Sequence, residues 1–199
     1  MNIIRNSLLA AILTLSATST HAQFTVGLKN TRFAEVGYTL KSHYTFQLSH
    51  SLFSEKPAFQ EVKVTFNYTN AWQDLSYSAA AYGSSTWNGD YKTAGARIGG
   101  RYTFAKRFHI LGILNPHYDT GYDYNTCFAA GASVNFISAI ALRLQYTTIP
   151  DYRMSEKRLH AGFDAKVGPL SVSPILSVPL EGSSQLSKFR VLASCSYTF

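Results

Sequence analysis

A histidine beside a serine is the first feature of this sequence that could do chemistry. His50 and Ser51 are adjacent, and His117 lies in a later segment. A serine becomes a nucleophile when a histidine within hydrogen-bond reach takes its proton and a third group orients that histidine. The sequence supplies no acidic partner that can be assigned to this pair. We therefore predict no catalytic residues, and an enzyme remains an open alternative.

Histidines could also bind a metal ion. Four of them fall within predicted strands or beside them: His43, His109, His117 and His160. They belong to different segments and lack the short regular spacing of metal ligands. The sequence also lacks a phosphate-binding glycine loop, a G-x-S-x-G motif and a C-x-x-C motif. We expect no metal and no cofactor.

Composition excludes several classes of protein. The chain has 199 residues, of which 46% are hydrophobic, 14% aromatic and only 15% charged, with a formal net charge of +7. Disordered chains combine low hydrophobicity with high net charge, and coiled coils carry far more charge. The basic residues form no cluster of the kind that binds nucleic acid, so no nucleic-acid partner is expected. One folded domain is the expectation.

The N-terminal segment has the plan of an export signal. Arg5 precedes the apolar run 8–15, and small and polar residues follow as far as Ala22. This order is typical of a secretory signal peptide, here cleaved before Gln23. The apolar run has about half the roughly 20 residues that a membrane-spanning helix needs, and no later window is long enough. We therefore expect export without helical membrane spans.

Apolar and polar residues alternate through much of the remaining chain. In the last segment Phe199, Tyr197 and Cys195 share one face, whereas Thr198 and Ser196 share the other. Successive side chains of a strand point to opposite faces, whereas a helical face repeats every three or four residues. The pattern predicts about ten strands, near 36–49, 61–69, 75–83, 92–104, 108–119, 124–136, 140–148, 158–167, 170–180 and 188–199.

The predicted connections alternate in length and are flanked by aromatic residues. Short turns on one rim, long loops on the other and an aromatic girdle at each rim characterise transmembrane barrels. We assign Tyr68, Trp72, Phe104, Phe108, Phe136, Tyr197 and Phe199 to the girdle beside the short turns. The girdle beside the long loops is predicted to contain Tyr82, Trp87, Tyr91, Tyr118, Tyr122, Tyr124 and Tyr152.

The last strand carries a resemblance to a known family. Phe189, Val191, Tyr197 and the terminal Phe199 alternate with other residues along it. This ending resembles that of the bacterial outer-membrane β-barrel proteins, in which the terminal strand is the assembly signal read by the barrel-assembly machinery. The resemblance implies an all-β fold, a single antiparallel transmembrane β-barrel of about ten strands with eight as the alternative. It also implies a location in the cell outer membrane.

These patterns divide the chain into a signal peptide at 1–22, an N-terminal lead-in at 23–35 and a barrel domain at 36–199. In the register of the last strand, one face of each strand lines the lumen. That face carries polar side chains with a net positive charge: Lys41, His43, Glu61, Lys63, Arg97, Arg101, His109, Arg143, Asp164, Lys166 and Arg190. Such a lumen could favour anions in a narrow pore, or its charges could pair and fill a small barrel.

The same register separates the two cysteines. Cys127 falls on the lumen face and Cys195 on the lipid face. Side chains that point away from each other on separate strands cannot be bridged, so we expect no disulfide.

These observations predict a non-enzymatic outer-membrane component: a structural barrel, an accessory subunit of a larger outer-membrane complex, or a narrow channel. Outer-membrane lipid and, during biogenesis, the assembly machinery are the expected partners. A lipid-modifying enzyme of the outer leaflet and a surface binding or adhesion module acting through the long loops are the alternatives. A secreted soluble β-sandwich or lipocalin-like barrel would show the same alternation with its apolar face inward, but the low charge and the aromatic C-terminus weigh against it.

Overall fold

Within the described residues, twelve antiparallel strands close into a barrel. The computed structural model describes residues 22–52, 60–121, 123–150, 157–180 and 189–199. Each strand pairs with its neighbours in sequence, and the last pairs with the first. The strands are β1 (Ala22–Lys29), β2 (Phe33–Leu40), β3 (Tyr44–Ser51), β4 (Glu61–Trp72), β5 (Leu75–Thr86), β6 (Lys92–Phe104), β7 (Phe108–Asp119), β8 (Asp123–Ile137), β9 (Ile140–Thr147), β10 (Arg158–Val167), β11 (Leu170–Pro179) and β12 (Arg190–Thr198).

The seam between β1 and β12 closes the barrel. Thr25 pairs with Thr198, and their hydroxyl oxygens lie 3.2 Å apart. The Phe199 amide donates to the Phe24 carbonyl at 2.8 Å, and the two rings lie 6.0 Å apart. In the part of the chain that the structure describes, closure pairs the first strand with the last, so the sheet has no open edge. This is the condition for crossing a bilayer with strands.

The strand count corrects the prediction of about ten. Residues 23–35, predicted to be a lead-in, form β1 and the beginning of β2. The predicted strand 36–49 is the remainder of β2 and most of β3, separated by a turn at Lys41 and Ser42. Both turn residues have positive φ, 52° and 59°. This is the type I′ geometry that usually selects glycine or asparagine, so the sequence carried no turn signal there.

The two rims of the barrel differ as the alternating connections predicted. Tight turns at 41–43, 73–74, 105–107, 138–139 and 168–169 lie on one rim, together with both ends of the barrel sequence. The strand ends that are joined by residues 52–60, 87–91, 120–122, 148–157 and 180–189 lie on the other rim, along with the short turn 30–32. We call these the turn rim and the loop rim.

Alternation separates an apolar outer wall from a polar inner wall. Val64, Ile98 and Leu144 face outward and are more than half exposed, at 56%, 59% and 53%. The residues that alternate with them are largely polar, and Ser49, Asn115 and Ser177 are buried inside. This arrangement reverses that of a soluble barrel, whose apolar side chains fill the interior. In the part of the chain described, no helix is long and apolar enough to cross a bilayer.

Several sequence predictions fall outside the described residues. They concern residues 1–21 of the predicted signal peptide, Tyr122 and Tyr152 of the predicted aromatic girdle, most of the loops 52–60 and 149–157, and all of the loop 181–187. Ala22, the last residue of the predicted signal, begins β1. The C-terminal residues Phe189, Val191, Tyr197 and Phe199 are described, and all four are exposed on the outer wall.

Candidate functional site: the barrel lumen

Strand alternation places most of the predicted lumen residues on the inner wall. Inward positions on β4, β6 and β7 hold Glu61, Lys63, Arg97, Arg101 and His109. The corresponding positions on β9, β10 and β12 hold Arg143, Asp164, Lys166 and Arg190. Arg101 and Lys166 are exposed towards the turn rim, whereas Glu61 and His109 are buried.

Two residues predicted to line the lumen lie elsewhere. Lys41 and His43 belong to the turn between β2 and β3 and are exposed at the turn rim. The His43 ring nitrogen Nδ1 lies 3.0 Å from the Thr69 carbonyl oxygen. The prediction was wrong for these two because it ran a single strand through the turn at residues 41–43.

A cavity of about 150 Å³ opens within the lumen, nearer the loop rim. Inward residues of β1 to β7 supply most of its wall, and Ile149 and Pro150 add an apolar edge. The charged side chains among its described lining are Lys29, Glu35, Glu61, Lys63 and Arg97. Basic groups thus outnumber acidic groups in the cavity wall.

Tyr82, at the centre of this wall, was not among the residues predicted to line the lumen. Tyr82 was assigned to the outer aromatic girdle, but its side chain lines the cavity. Its hydroxyl donates to the Asn115 amide oxygen at 3.0 Å. Tyr91, also assigned to the girdle, lines the cavity too. The alternation of residue types would have predicted the inward position of Tyr82, because it shares its strand face with the polar Ser84 and Ser78 and not with the apolar Ala79 and Ala81.

Two basic side chains flank Tyr82 from the neighbouring strands. The Lys63 Nζ atom lies 4.1 Å from the centre of the ring, and the Arg97 Cζ atom lies 5.9 Å from it. Both distances fall within the range over which a cation is attracted to an aromatic face. This group, Lys63, Tyr82 and Arg97, is called the Tyr82 cluster below.

The carboxylates of the cavity are already engaged by other donors. Glu35 lies 3.3 Å from the Lys29 ammonium and accepts hydrogen bonds from Gln47 at 2.8 Å and Ser49 at 3.2 Å. Glu61 accepts a hydrogen bond from the Ser84 hydroxyl. Lys29 and Glu35 were missed because they fall in the segment predicted to precede the barrel.

The opposite wall carries its own polar contacts. Arg143 on β9 lies 3.6 Å from Asp164 on β10, and Ser173 donates to the same carboxylate oxygen at 2.7 Å. Arg158, also missed by the sequence analysis, donates from Nε to the Ser177 hydroxyl at 2.6 Å. Arg143 and Asp164 thus form an ion pair on this wall, whereas among the described residues no carboxylate lies within 4.0 Å of Lys63 or Arg97.

His50 and Ser51 do not form a catalytic pair. Ser51 points inward, is buried, and accepts a hydrogen bond from the Glu61 amide at 2.7 Å. His50 lies on the outer face, where the Trp87 indole donates to its Nε2 atom at 3.3 Å. Adjacent strand residues point to opposite sides of the sheet, so the imidazole cannot reach the hydroxyl. His117 is buried inside, 3.7 Å from Asp119.

The remaining candidates for chemistry are dispersed. Cys127 is buried inside and Cys195 is exposed outside, on the opposite faces that the register predicted. His109 lies near the turn rim, with Nδ1 2.9 Å from the Thr103 hydroxyl. Among the residues that the structure describes, no group of three or more His, Cys, Asp or Glu side chains is placed to hold a metal ion.

Solved porin structures share this fold. The KdgM porin in complex with disordered oligogalacturonate superposes with a TM-score of 0.62 and 8% sequence identity, covering 89% of this chain and 98% of that one. A second structure of the KdgM porin gives a TM-score of 0.59 at 8% identity, with the same coverage. The NanC porin gives 0.53 at 10% identity, covering 89% and 97%. No protein-family profile and no curated protein sequence matches the chain. The chain thus resembles outer-membrane porins in its fold.

Proposed function

We propose that this protein is an outer-membrane channel through which small hydrophilic solutes, anions above all, diffuse without chemical change. The observation that carries the proposal is the closed twelve-stranded barrel whose outer wall is apolar and whose inner wall is polar around a cavity. The plan of the N-terminal residues supports export of the chain to that membrane.

The strand number supports a narrow pore. A barrel of about eight strands is just wide enough for its own side chains to fill, whereas barrels of 16 to 18 strands enclose a wide aqueous channel. Twelve strands lie between these cases. Side chains that lie along the wall, or that are hydrogen-bonded to one another, can then leave a passage for a small solute along the barrel axis.

The sign of the lumen charge supports a preference for anions. The inward positions of the strands hold the basic residues Lys29, Lys63, Arg97, Arg101, Arg143, Arg158, Lys166 and Arg190. The acidic residues there are fewer: Glu35, Glu61, Asp119, Asp123 and Asp164. A low-dielectric wall of one charge sign concentrates counter-ions of the other.

Acidic saccharides are the first solutes to test. The similar KdgM porin has been captured with oligogalacturonate, an oligomer in which each sugar carries a carboxylate. The cavity of this chain combines basic groups with hydroxyl and amide side chains such as Ser49, Gln47 and Thr65. Hydroxylated anions match that combination of hydrogen-bonding groups.

Conductance across a planar bilayer tests the proposal. Purified, refolded protein is added to a bilayer that separates potassium chloride solutions of unequal concentration. We expect stepwise conductance and a reversal potential of the sign set by chloride. Boiled protein is the control. Protein that is folded by gel mobility yet never conducts would overturn the channel proposal, and a reversal potential set by potassium would overturn the anion preference.

A further inference from the structure

The Tyr82 cluster brings two positive charges to one point of the lumen wall. Lys63 on β4 is paired in register with Ser84, and Arg97 on β6 with Ala80. Tyr82 lies between those two positions on β5. The two cations therefore approach the ring diagonally from opposite neighbouring strands, which explains their distances of 4.1 Å and 5.9 Å from its centre.

The Tyr82 ring is held in place by β7, the strand beyond β6. Its hydroxyl passes β6 to reach Asn115 on β7. Asn115 is itself buried, and its amide nitrogen lies 3.3 Å from Nδ1 of His117. Gly95 lies under this path: a Cβ atom there would come within 2.8 Å of the Tyr82 hydroxyl. The glycine thus lets the phenol lie along the wall.

Lys63 and Arg97 differ from Lys29 in the same cavity and from Arg143 on the opposite wall, because those two basic groups each have an acidic partner. Lys29 is neutralised by Glu35, and Arg143 by Asp164. Among the described residues, neither Lys63 nor Arg97 has a carboxylate within 4.0 Å. The Arg97 Nε atom is buried and has no hydrogen-bond partner there. Leaving a buried charged donor unsatisfied is costly, so the position is favourable only where an acceptor can be supplied.

We infer that Lys63 and Arg97 form a discrete oxyanion-binding site in the channel, with Tyr82 as the residue that positions them. The inference rests on the proposed function, since it specifies where the channel recognises its solute. The ligand chemistry is an oxyanion, carboxylate or phosphate, on a small hydroxylated solute. The two cations bind the oxyanion, and the Thr65 hydroxyl in the same cavity wall is available to the rest of the solute.

The neighbouring carboxylates do not satisfy the site. Glu35 is engaged by Lys29, Gln47 and Ser49, and Glu61 by Ser84. The basic groups Lys29, Lys63 and Arg97 still outnumber the acidic groups Glu35 and Glu61 in the described cavity wall, so the field there stays positive. An entering anion can contact Lys63 and Arg97 without breaking an ion pair between described residues.

Block of single-channel current measures occupancy of the site. Galacturonate is the probe, inorganic phosphate is the second oxyanion, and galactose is the neutral control of the same ring size. We expect galacturonate to reduce chloride current with saturation and galactose to have no effect at equal concentration. Block by galacturonate alone identifies a carboxylate site, and block by both anions identifies a general oxyanion site.

Substitutions locate the site. Lys63→Met and Arg97→Gln each remove one charge, and we expect the half-blocking concentration to rise about tenfold or more, because charge-assisted contacts are the strong ones. Arg101→Gln is the matched control, because it removes the same charge from the same face of β6. It should change the half-blocking concentration less than about twofold, since rim charges act mainly through screened long-range fields. Lys63→Arg and Arg97→Lys should restore most of the block.

The outcomes distinguish failure of the binding-site proposal from failure of the channel proposal. Conducting, anion-selective variants whose block changes no more than that of R101Q would overturn the site and leave the channel intact. If the wild type does not conduct, calorimetric titration of the folded protein in detergent with galacturonate replaces the current. Heat of binding lost in K63M and R97Q but kept in R101Q would support the site, and equal heat in all of them would refute it.

Discussion

The Tyr82 hydroxyl on β5 donates to the Asn115 amide on β7, 3.0 Å away, across the whole width of the strand between them. A tyrosine that pointed to the barrel axis would obstruct a lumen of this size. Lying along the wall, it instead becomes the floor of a positively charged patch. The contact depends on one position of the intervening strand, Gly95, which has no side chain.

Gly95→Ala should destabilise the barrel by about 1–3 kcal/mol, the usual cost of overpacking. The added Cβ would lie 2.7 Å from the Cβ of His117 and 2.8 Å from the Pro116 carbonyl oxygen. Urea unfolding in detergent measures the loss. Gly112→Ala is the matched control, because a Cβ at that position meets nothing within 4 Å. Equal stability of the two variants would contradict the packing argument.

Gly27→Val should impair closure of the barrel. A Cβ at position 27 would lie 2.6 Å from the Cys195 carbonyl oxygen, across the β1–β12 seam. The wild type should migrate differently on a denaturing gel before and after boiling, since a closed barrel resists detergent until heated. The variant should show a smaller folded fraction. Gly37→Val on β2, whose nearest contact is 3.7 Å, should fold like the wild type; a similar loss in both would show that the seam is not the cause.

Ser177→Ala should cost about 1–3 kcal/mol, the penalty for leaving a buried polar group without its partner. Ser177 has 0% of its surface exposed and accepts the 2.6 Å hydrogen bond from Arg158, which is itself buried. Chemical unfolding gives the difference from the wild type. Ser171→Ala, on the same face of β11 near the turn rim, is the control, and a loss there as large as in S177A would argue against a specific role for this contact.

The two tryptophans should report both membrane interfaces. Trp72 ends β4 at the turn rim and Trp87 follows β5 at the loop rim, and they are 68% and 66% exposed. Indole rings favour the headgroup region. In vesicles, lipids brominated near the headgroup should quench both more strongly than lipids brominated deep in the chain. The variants Trp72→Phe and Trp87→Phe separate the signals, and quenching by aqueous iodide alone would contradict the membrane position.

The sequence by itself determined the class of fold and which side chains share a wall. Period-two alternation is a local property, so the outward positions of Tyr197 and Phe199 and the inward positions of Lys63, Arg97 and Asp164 could be read from residue types. The opposed faces of Cys127 and Cys195 followed from the same rule. The alternation of Phe24, Val26 and Leu28 was also present, and extending the rule to them would have found β1.

Only the tertiary structure decided the strand number, the closing seam and the neighbours of each inward residue. Alternation says which face a side chain occupies but not which residue of the next strand lies beside it, because that depends on register set by pairing over the whole barrel. The turn at Lys41 and Ser42 contains no glycine or asparagine, so the residue types did not predict it. The cluster of Lys63, Tyr82 and Arg97 joins three strands, and its geometry exists only once those strands are paired and Gly95 lets the ring lie down.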